Sequence, residues 1–96
     1  MLNMKPRALT FHSDPGHGWL QVERTDLIDL GIEGVISPYS YVMGDYAYLE
    51  EDCDASVYIA ALKEHGISHT ISAVDYRYDA PIRGMNRYRM RIQELA

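Results

Sequence analysis

Three side chains near the start of the chain belong to types that bind metal ions. His12, Asp14 and His17 are spaced as H-x-D-x-x-H, and imidazole nitrogens and carboxylate oxygens are common metal ligands. The spacing matches no strong zinc motif. Asp14 also begins an Asp-Pro-Gly sequence, which a tight turn explains without any metal. A metal site here, completed by Glu51 or Asp52, is therefore the weaker interpretation, and we expect no cofactor.

An acidic run follows in the middle of the chain, at Glu50, Glu51, Asp52 and Asp54, with Cys53 inside it. Clustered carboxylates can bind Mg²⁺ or Ca²⁺ or act as general acids and bases. The alternative is a solvated connection whose acids favour the positive N-terminus of the next helix. The same carboxylates should raise the pKa of the thiol, and no histidine lies nearby in sequence to activate it. We predict no catalytic residue and favour a protein that is not an enzyme.

Tyrosines dominate the segment that precedes this run. Gly44-Asp45 suits a two-residue type II′ turn between strands 36–43 and 46–51. Alternation along the strands then places Tyr39, Tyr41, Tyr46 and Tyr48 on one face, and Val42, Ala47 and Leu49 on the other. Exposed tyrosines are typical of protein interfaces. The alternative is a half-buried tyrosine layer under a helix.

The remaining elements surround this hairpin. A first hairpin is predicted from strands 7–13 and 17–23. Thr25 is the expected N-cap of a short helix that Gly31 ends, and Asp54 the expected N-cap of a helix over 55–65 that Gly66 ends. Residues 68–76 read as a strand and 77–84 as a loop. Residues 85–96 fit both a strand and a helix period, and we favour a short helix or a frayed tail.

The order ββα-ββα-β predicts an α+β fold with an antiparallel sheet of about five strands and two helices packed on one face. The 96 residues fit a single domain spanning 1–96. We expect its basic part, 77–96, to be loosely packed.

Charge is distributed unevenly along the chain. The net charge is −5, but residues 1–76 carry four basic and twelve acidic side chains. Residues 77–96 are net positive, and their Arg83, Arg87, Arg89 and Arg91 are the candidate contacts to a nucleic acid. An acidic body with a basic tail is not typical of a general nucleic-acid-binding domain. One cysteine, no signal-peptide pattern and no long apolar run together indicate a cytoplasmic protein with no membrane segment.

Two stretches resemble a known group of sequences. FHSDPGHGWL at 11–20 and SPYSYVMGDYAYLEEDCDA at 37–55 resemble small uncharacterised proteins encoded by bacteriophages, prophages and other mobile elements. The resemblance covers about the first two-thirds of the chain and leaves out the arginine-rich tail. It implies the cytoplasm of a bacterial host and a mobile-element origin, and it carries over no functional residue.

The favoured hypothesis is a small binding protein that modulates a host or phage protein, as anti-defence inhibitors such as CRISPR inhibitors do. Its predicted partner-binding residues are the four tyrosines and, at their rim, the four carboxylates of the acidic run: Tyr39, Tyr41, Tyr46, Tyr48, Glu50, Glu51, Asp52 and Asp54. The alternatives are a metal-dependent enzyme or metal-binding protein, and a nucleic-acid-associated protein that uses the tail.

Overall fold

The structure, a computed structural model, describes residues 2–91 as an α+β fold built on a six-stranded mixed sheet. The strands and helices are, in chain order, β1 (Arg7–Ser13), β2 (Gly18–Glu23), α1 (Arg24–Asp29), β3 (Tyr41–Met43), β4 (Tyr46–Glu50), α2 (Asp54–Glu64), β5 (His69–Asp75) and β6 (Asn86–Arg87). Two 3₁₀ turns cover Glu33–Val35 and Pro81–Gly84. The strand order across the sheet is β5-β1-β2-β4-β3-β6.

Two details of the predicted sheet were wrong. The sheet is not fully antiparallel, because β5 pairs in parallel with β1, from Arg7 opposite His69 to Ser13 opposite Asp75. It also has six strands, because β6 pairs with β3 at Val42 and Tyr41. The preference for a helix or frayed tail over 85–96 is therefore wrong at residues 86–87, while 92–96 lie outside the described residues.

The helices end where the glycines predict but do not begin at the predicted caps. Gly31 and Gly66 follow α1 and α2 with φ of +74° and +71°. Glu23 occupies the N-cap position of α1, and Thr25 lies inside the helix. Cys53 occupies the N-cap position of α2. The Asp54 side chain, expected there, accepts a hydrogen bond from the Ser37 hydroxyl. Within residues 2–91, neither helix has the length and apolar character to cross a membrane.

Each face of the sheet carries its own buried cluster. Leu20 and Val22 of β2 share one cluster with residues of α1 and α2, so both helices cover the same face, as predicted. Trp19, Tyr41 and Tyr48 point to the opposite face, where Ala80 and Ile82 cover them. We call this second side the helix-free face.

Asp14 holds the covering segment against the helix-free face. Its Oδ2 accepts hydrogen bonds from the Ala80 backbone N–H at 2.9 Å and from Arg83 Nε at 2.6 Å. Its Oδ1 accepts from the backbone N–H groups of Gly16 and His17, which closes the first hairpin turn. Asp14 therefore joins the turn between β1 and β2 to the chain that follows β5.

Candidate binding cleft

A cleft of about 500 Å³ opens on the helix-free face. Its lining combines aromatic rings, both signs of charge and the chain's cysteine: His17, Trp19, Tyr39, Tyr41, Glu50, Asp52, Cys53, Arg83 and Arg87. We call it the aromatic cleft. It brings together residues from β2, β3, β4 and β6, which are four adjacent strands of the six-stranded sheet.

Two buried rings form the floor of the aromatic cleft. Trp19 is 2% exposed and Tyr41 is 8% exposed, and their ring centroids are 6.2 Å apart at an interplanar angle of 76°. Such an edge-to-face arrangement is a favourable geometry for aromatic pairs. Tyr39 stands beside them with 69% of its surface exposed. The cleft therefore presents a fixed aromatic floor and one accessible ring at its rim.

The predicted β3–β4 hairpin positions Tyr41 for this role. Tyr41 lies opposite Tyr48, and Met43 opposite Tyr46, as the type II′ turn predicts. Gly44 has φ of +59°, and no non-glycine residue within 2–91 has positive φ, so Asp45 has the negative φ that this turn requires. Tyr41 and Tyr48 join the cluster of the helix-free face. The 3₁₀ turn at Pro81–Gly84 covers them in part, where the alternative interpretation expected a helix.

Two guanidinium groups lie over the floor. Arg83 is 5.3 Å from the Trp19 ring centroid and Arg87 is 4.6 Å from the Tyr41 ring centroid. Asp14 fixes Arg83 through two hydrogen bonds. This pairing lowers the pKa of Asp14 far below its ordinary value and raises that of Arg83. Arg87 reaches the Pro38 carbonyl through a long hydrogen bond of 3.4 Å, so it is held less firmly than Arg83.

Carboxylates form the opposite side of the aromatic cleft. Glu50 accepts hydrogen bonds from the Asp52 backbone N–H at 2.9 Å and from the Cys53 thiol at 3.4 Å. Asp52 is exposed. Burial is the largest cause of a raised pKa at Cys53, and the carboxylates of Glu50 and Asp54 add to it. The thiol is thus kept protonated, which disfavours nucleophilic chemistry at Cys53.

The predicted partner-binding residues separate into two groups. Tyr39, Tyr41, Glu50 and Asp52 line the aromatic cleft. The other four do not line the cleft. Tyr48 and Asp54 are buried. Tyr46 is 41% exposed beside a second cavity, and Glu51 is exposed outside the cleft lining. We therefore leave these four out of the proposed binding surface.

Asp54 is buried because it joins α2 to the turn before β3. Its carboxylate accepts hydrogen bonds from the Ser37 backbone N–H at 3.1 Å, the Ser37 hydroxyl at 2.6 Å and the Ser40 hydroxyl at 2.5 Å. The Ser40 hydroxyl in turn accepts from the Glu50 backbone N–H at 2.9 Å. These contacts fix the 37–40 turn and hence the chain that carries Tyr39.

Five residues of the aromatic cleft were not among the predicted partner-binding residues. His17 was considered only as a metal ligand and Cys53 only as a possible nucleophile, and Trp19 was not singled out within strand 17–23. Arg83 and Arg87 were considered only as part of the basic tail. Period-2 alternation does place Trp19 on one face of β2, but contact with Arg83 joins residues 64 positions apart in sequence. No local signal predicts such a pairing.

The candidate metal ligands do not converge. His12 is hydrogen-bonded through Nδ1 to the Tyr76 hydroxyl at 2.9 Å and through Nε2 to Gln21 Oε1 at 2.7 Å. Asp14 binds Arg83, and His17 Nδ1 lies 3.9 Å from Glu50 Oε1. Within residues 2–91, no three His, Cys, Asp or Glu side chains are grouped so that they could hold a metal ion.

A second cavity of about 520 Å³ lies near a partly buried ion pair that the sequence did not suggest. Arg7 Nε donates to Asp26 Oδ2 at 2.8 Å, and the Tyr58 hydroxyl donates to the same oxygen at 2.5 Å. Burial alone would raise the pKa of Asp26, but the hydrogen bonds from Arg7 and Tyr58 outweigh it and the pKa is lowered. Burial and the Asp26 carboxylate raise the pKa of Tyr58. Because Arg7, Asp26 and Tyr58 hydrogen-bond to one another, we assign them a structural role and no part in binding.

Comparisons of the chain with protein-family models, with curated proteins and with solved structures find no match.

Proposed function

We propose that this protein is a non-enzymatic binding protein whose aromatic cleft receives a basic segment of a partner protein. The observation that carries the proposal is a cleft with the buried rings of Trp19 and Tyr41 as its floor and the exposed Tyr39 at its rim. Tyrosine and tryptophan in desolvated pockets are the residues that contribute most to binding at protein interfaces.

The Tyr41 ring and the two carboxylates of the cleft suit a basic side chain of the partner. Arg87 already lies over the Tyr41 ring at 4.6 Å, so this ring accepts a cation. The long hydrogen bond from Arg87 to Pro38 makes it the easier of the two arginines to displace. An arginine or lysine of the partner would take its place over Tyr41, while Glu50 and Asp52 supply complementary negative charge. The net charge of −5 attracts basic surfaces at longer range.

The partner class we propose is a bacterial host protein, with the chain acting as an anti-defence inhibitor. Its resemblance to proteins of phages and mobile elements supports this choice. Defence proteins that bind nucleic acids carry basic surfaces, and CRISPR effectors are one kind. An acidic domain of this size that covers such a surface would block it by electrostatic complementarity.

The proposal is tested by a pull-down from nuclease-treated bacterial lysate. The bait is the wild-type chain or the double variant Tyr39→Ala/Asp52→Lys, which removes the exposed ring and reverses one charge of the rim. Both positions are exposed, so the fold should persist, and circular dichroism checks it. Tyr78→Ala is the matched control, because Tyr78 is 78% exposed and does not line the cleft.

We expect a stoichiometric partner with the wild type and with Tyr78→Ala, and a loss of at least about tenfold in recovery with the double variant. Recovery of no stoichiometric partner from a lysate of the relevant host contradicts the proposal. Equal recovery with the double variant contradicts the assignment to the aromatic cleft.

A further inference from the structure

Strand β5 forms a long and unprotected edge of the sheet. It runs from His69 to Asp75 and has β1 on one side, with no strand within residues 2–91 on the other. Six of its seven residues are exposed, and Ile71 and Val74 expose 50% and 38% of their surfaces. Natural proteins usually protect such an edge with lysine, proline, a bulge or a short strand. The sequence HTISAVD contains no lysine or proline.

The pairing with β1 determines which backbone groups face outwards. Two hydrogen bonds flank the ladder: Arg7 N–H donates to Ser68 C=O at 3.0 Å, and Tyr76 N–H donates to Ser13 C=O at 2.7 Å. In a parallel ladder with this register, even-numbered residues of β5 direct both backbone groups to β1. The odd-numbered residues, His69, Ile71, Ala73 and Asp75, therefore direct their N–H and C=O groups to the free edge.

We propose that β5 pairs antiparallel with β5 of a second copy of this chain, around a two-fold axis at Ser72. In an antiparallel ladder, residues that lie directly opposite each other exchange two hydrogen bonds. This register pairs all four outward-facing residues of each copy. His69 pairs with Asp75 of the second copy and Ile71 with its Ala73, and the two-fold axis repeats both pairs with the copies exchanged. A shift of two residues in either direction leaves one pair unformed. The self-complementary register thus gives about eight hydrogen bonds across the edge.

The side chains in this register are complementary as well. The His69 imidazole lies opposite a carboxylate, which is a favourable cross-strand pair. The large Ile71 lies opposite the small Ala73. On the other face of the sheet, Thr70 lies opposite Val74, a pair of β-branched residues suited to strands. An isologous two-fold contact of this kind closes on itself, so it yields a dimer with a continuous sheet.

The proposed dimer is independent of the aromatic cleft. The cleft is lined from β2, β3, β4 and β6, and β1 separates these strands from β5. Each dimer would carry two free clefts at opposite ends of the combined sheet. A partner with repeated basic sites would then bind with avidity.

The first test is the mass in solution. Sedimentation equilibrium of the wild type should show an increase from the monomer mass of 11.0 kDa to twice that value as concentration rises. Ile71→Lys should weaken the dimer by about tenfold or more, because it places a charge at the centre of the pairing. Val35→Lys is the matched control, since Val35 is 64% exposed and lies outside β5. A constant 11.0 kDa up to about 200 µM overturns the proposal.

A second variant distinguishes loss of the β5 pairing from an effect of Ile71→Lys on the fold. Ala73→Pro removes one outward-facing donor and leaves the ladder with β1 intact, because the even-numbered residues make that ladder. It should also weaken the dimer by about tenfold or more. Dimerisation as tight as in the wild type in both Ile71→Lys and Ala73→Pro overturns the assignment to β5.

Disulfide cross-linking tests the register. In a Cys53→Ser background, Ser72→Cys places two thiols opposite each other at a Cα separation of about 4.5 Å, within reach of a disulfide. Thr70→Cys is the matched control, because its two copies would be about 13 Å apart along the strands. We expect an oxidised dimer with Ser72→Cys and none with Thr70→Cys. Equal cross-linking of the two variants, or none in either, overturns the register.

Discussion

Replacement of Tyr58 by phenylalanine tests the buried ion pair. Tyr58 is fully buried, and its hydroxyl donates a hydrogen bond of 2.5 Å to Asp26 Oδ2, which also accepts from Arg7. Phenylalanine keeps the ring and removes only the hydroxyl, so the packing of α2 against the sheet should persist. The variant therefore isolates one hydrogen bond to a buried charge.

The expected loss follows from the type of bond removed. A hydrogen bond to a charged group contributes about 1.5–3 kcal/mol, and Asp26 keeps its two bonds to Arg7. We therefore expect the free energy of unfolding to fall by about 2 kcal/mol. For a domain of this size, that loss lowers Tm by roughly 8–16 °C.

Urea unfolding followed by circular dichroism measures this change, with differential scanning calorimetry for Tm. Tyr78→Phe is the control, because Tyr78 is 78% exposed, and it should change the free energy by less than about 0.5 kcal/mol. A loss below about 0.5 kcal/mol in Tyr58→Phe would refute the hydrogen bond to Asp26 as a stabilising contact.

Three further predictions concern packing and pH. Gly18→Ala should cost about 1–3 kcal/mol of unfolding free energy in urea titrations, because the new Cβ would collide with the Phe11 ring. An unchanged midpoint contradicts this contact. Ile82→Ala should cost about 2–5 kcal/mol and shift the emission of Trp19, the single tryptophan, to longer wavelength, because Ile82 covers the same cluster; unshifted emission contradicts that cover. The pKa of Asp26 is lowered in the folded protein, so its stabilisation is complete above the ordinary carboxyl pKa of about 4 and disappears as pH falls through the folded value. The difference in unfolding free energy between the wild type and Asp26→Asn should therefore narrow from pH 7 to pH 3, and a constant difference contradicts it.

Local patterns predicted the β3–β4 register correctly, although the first strand, predicted over 36–43, covers only Tyr41–Met43. The Gly44 turn and strict alternation together specify which residues pair and which face each side chain takes, and the observed register agrees. The glycines after α1 and α2 were equally informative, since positive φ is a local property of the backbone. These features depend on neighbours within a few residues, which a single sequence displays directly.

Long-range pairings could not be predicted from local sequence patterns. The parallel position of β5 beside β1 depends on how α2 directs the chain across the sheet, and both orientations use the same alternating residues. Asp14 reads as a turn residue, and its second role at Arg83 joins positions 69 apart in sequence. Asp54 was expected to cap α2, yet the hydroxyls of Ser37 and Ser40 compete successfully for its carboxylate.

These long-range contacts account for the form of the candidate site. The segment after β5 returns across the helix-free face and brings Arg83 over Trp19, while β6 brings Arg87 over Tyr41. The predicted tyrosine surface is thereby reduced to Tyr39 and Tyr41 and extended by these two cations. The acidic run contributes Glu50 and Asp52 to the same cleft.

The central claim is that the partner binds at the aromatic cleft and not at the tyrosine hairpin in general. Tyr39 and Tyr46 separate these possibilities, because they are 69% and 41% exposed but only Tyr39 lines the cleft. The most direct measurement is the dissociation constant of the purified partner, by calorimetry, for Tyr39→Ala and Tyr46→Ala. We predict that Tyr39→Ala weakens binding by about 30-fold and Tyr46→Ala by less than about threefold. Equal effects of the two substitutions, or a larger effect of Tyr46→Ala, would contradict it.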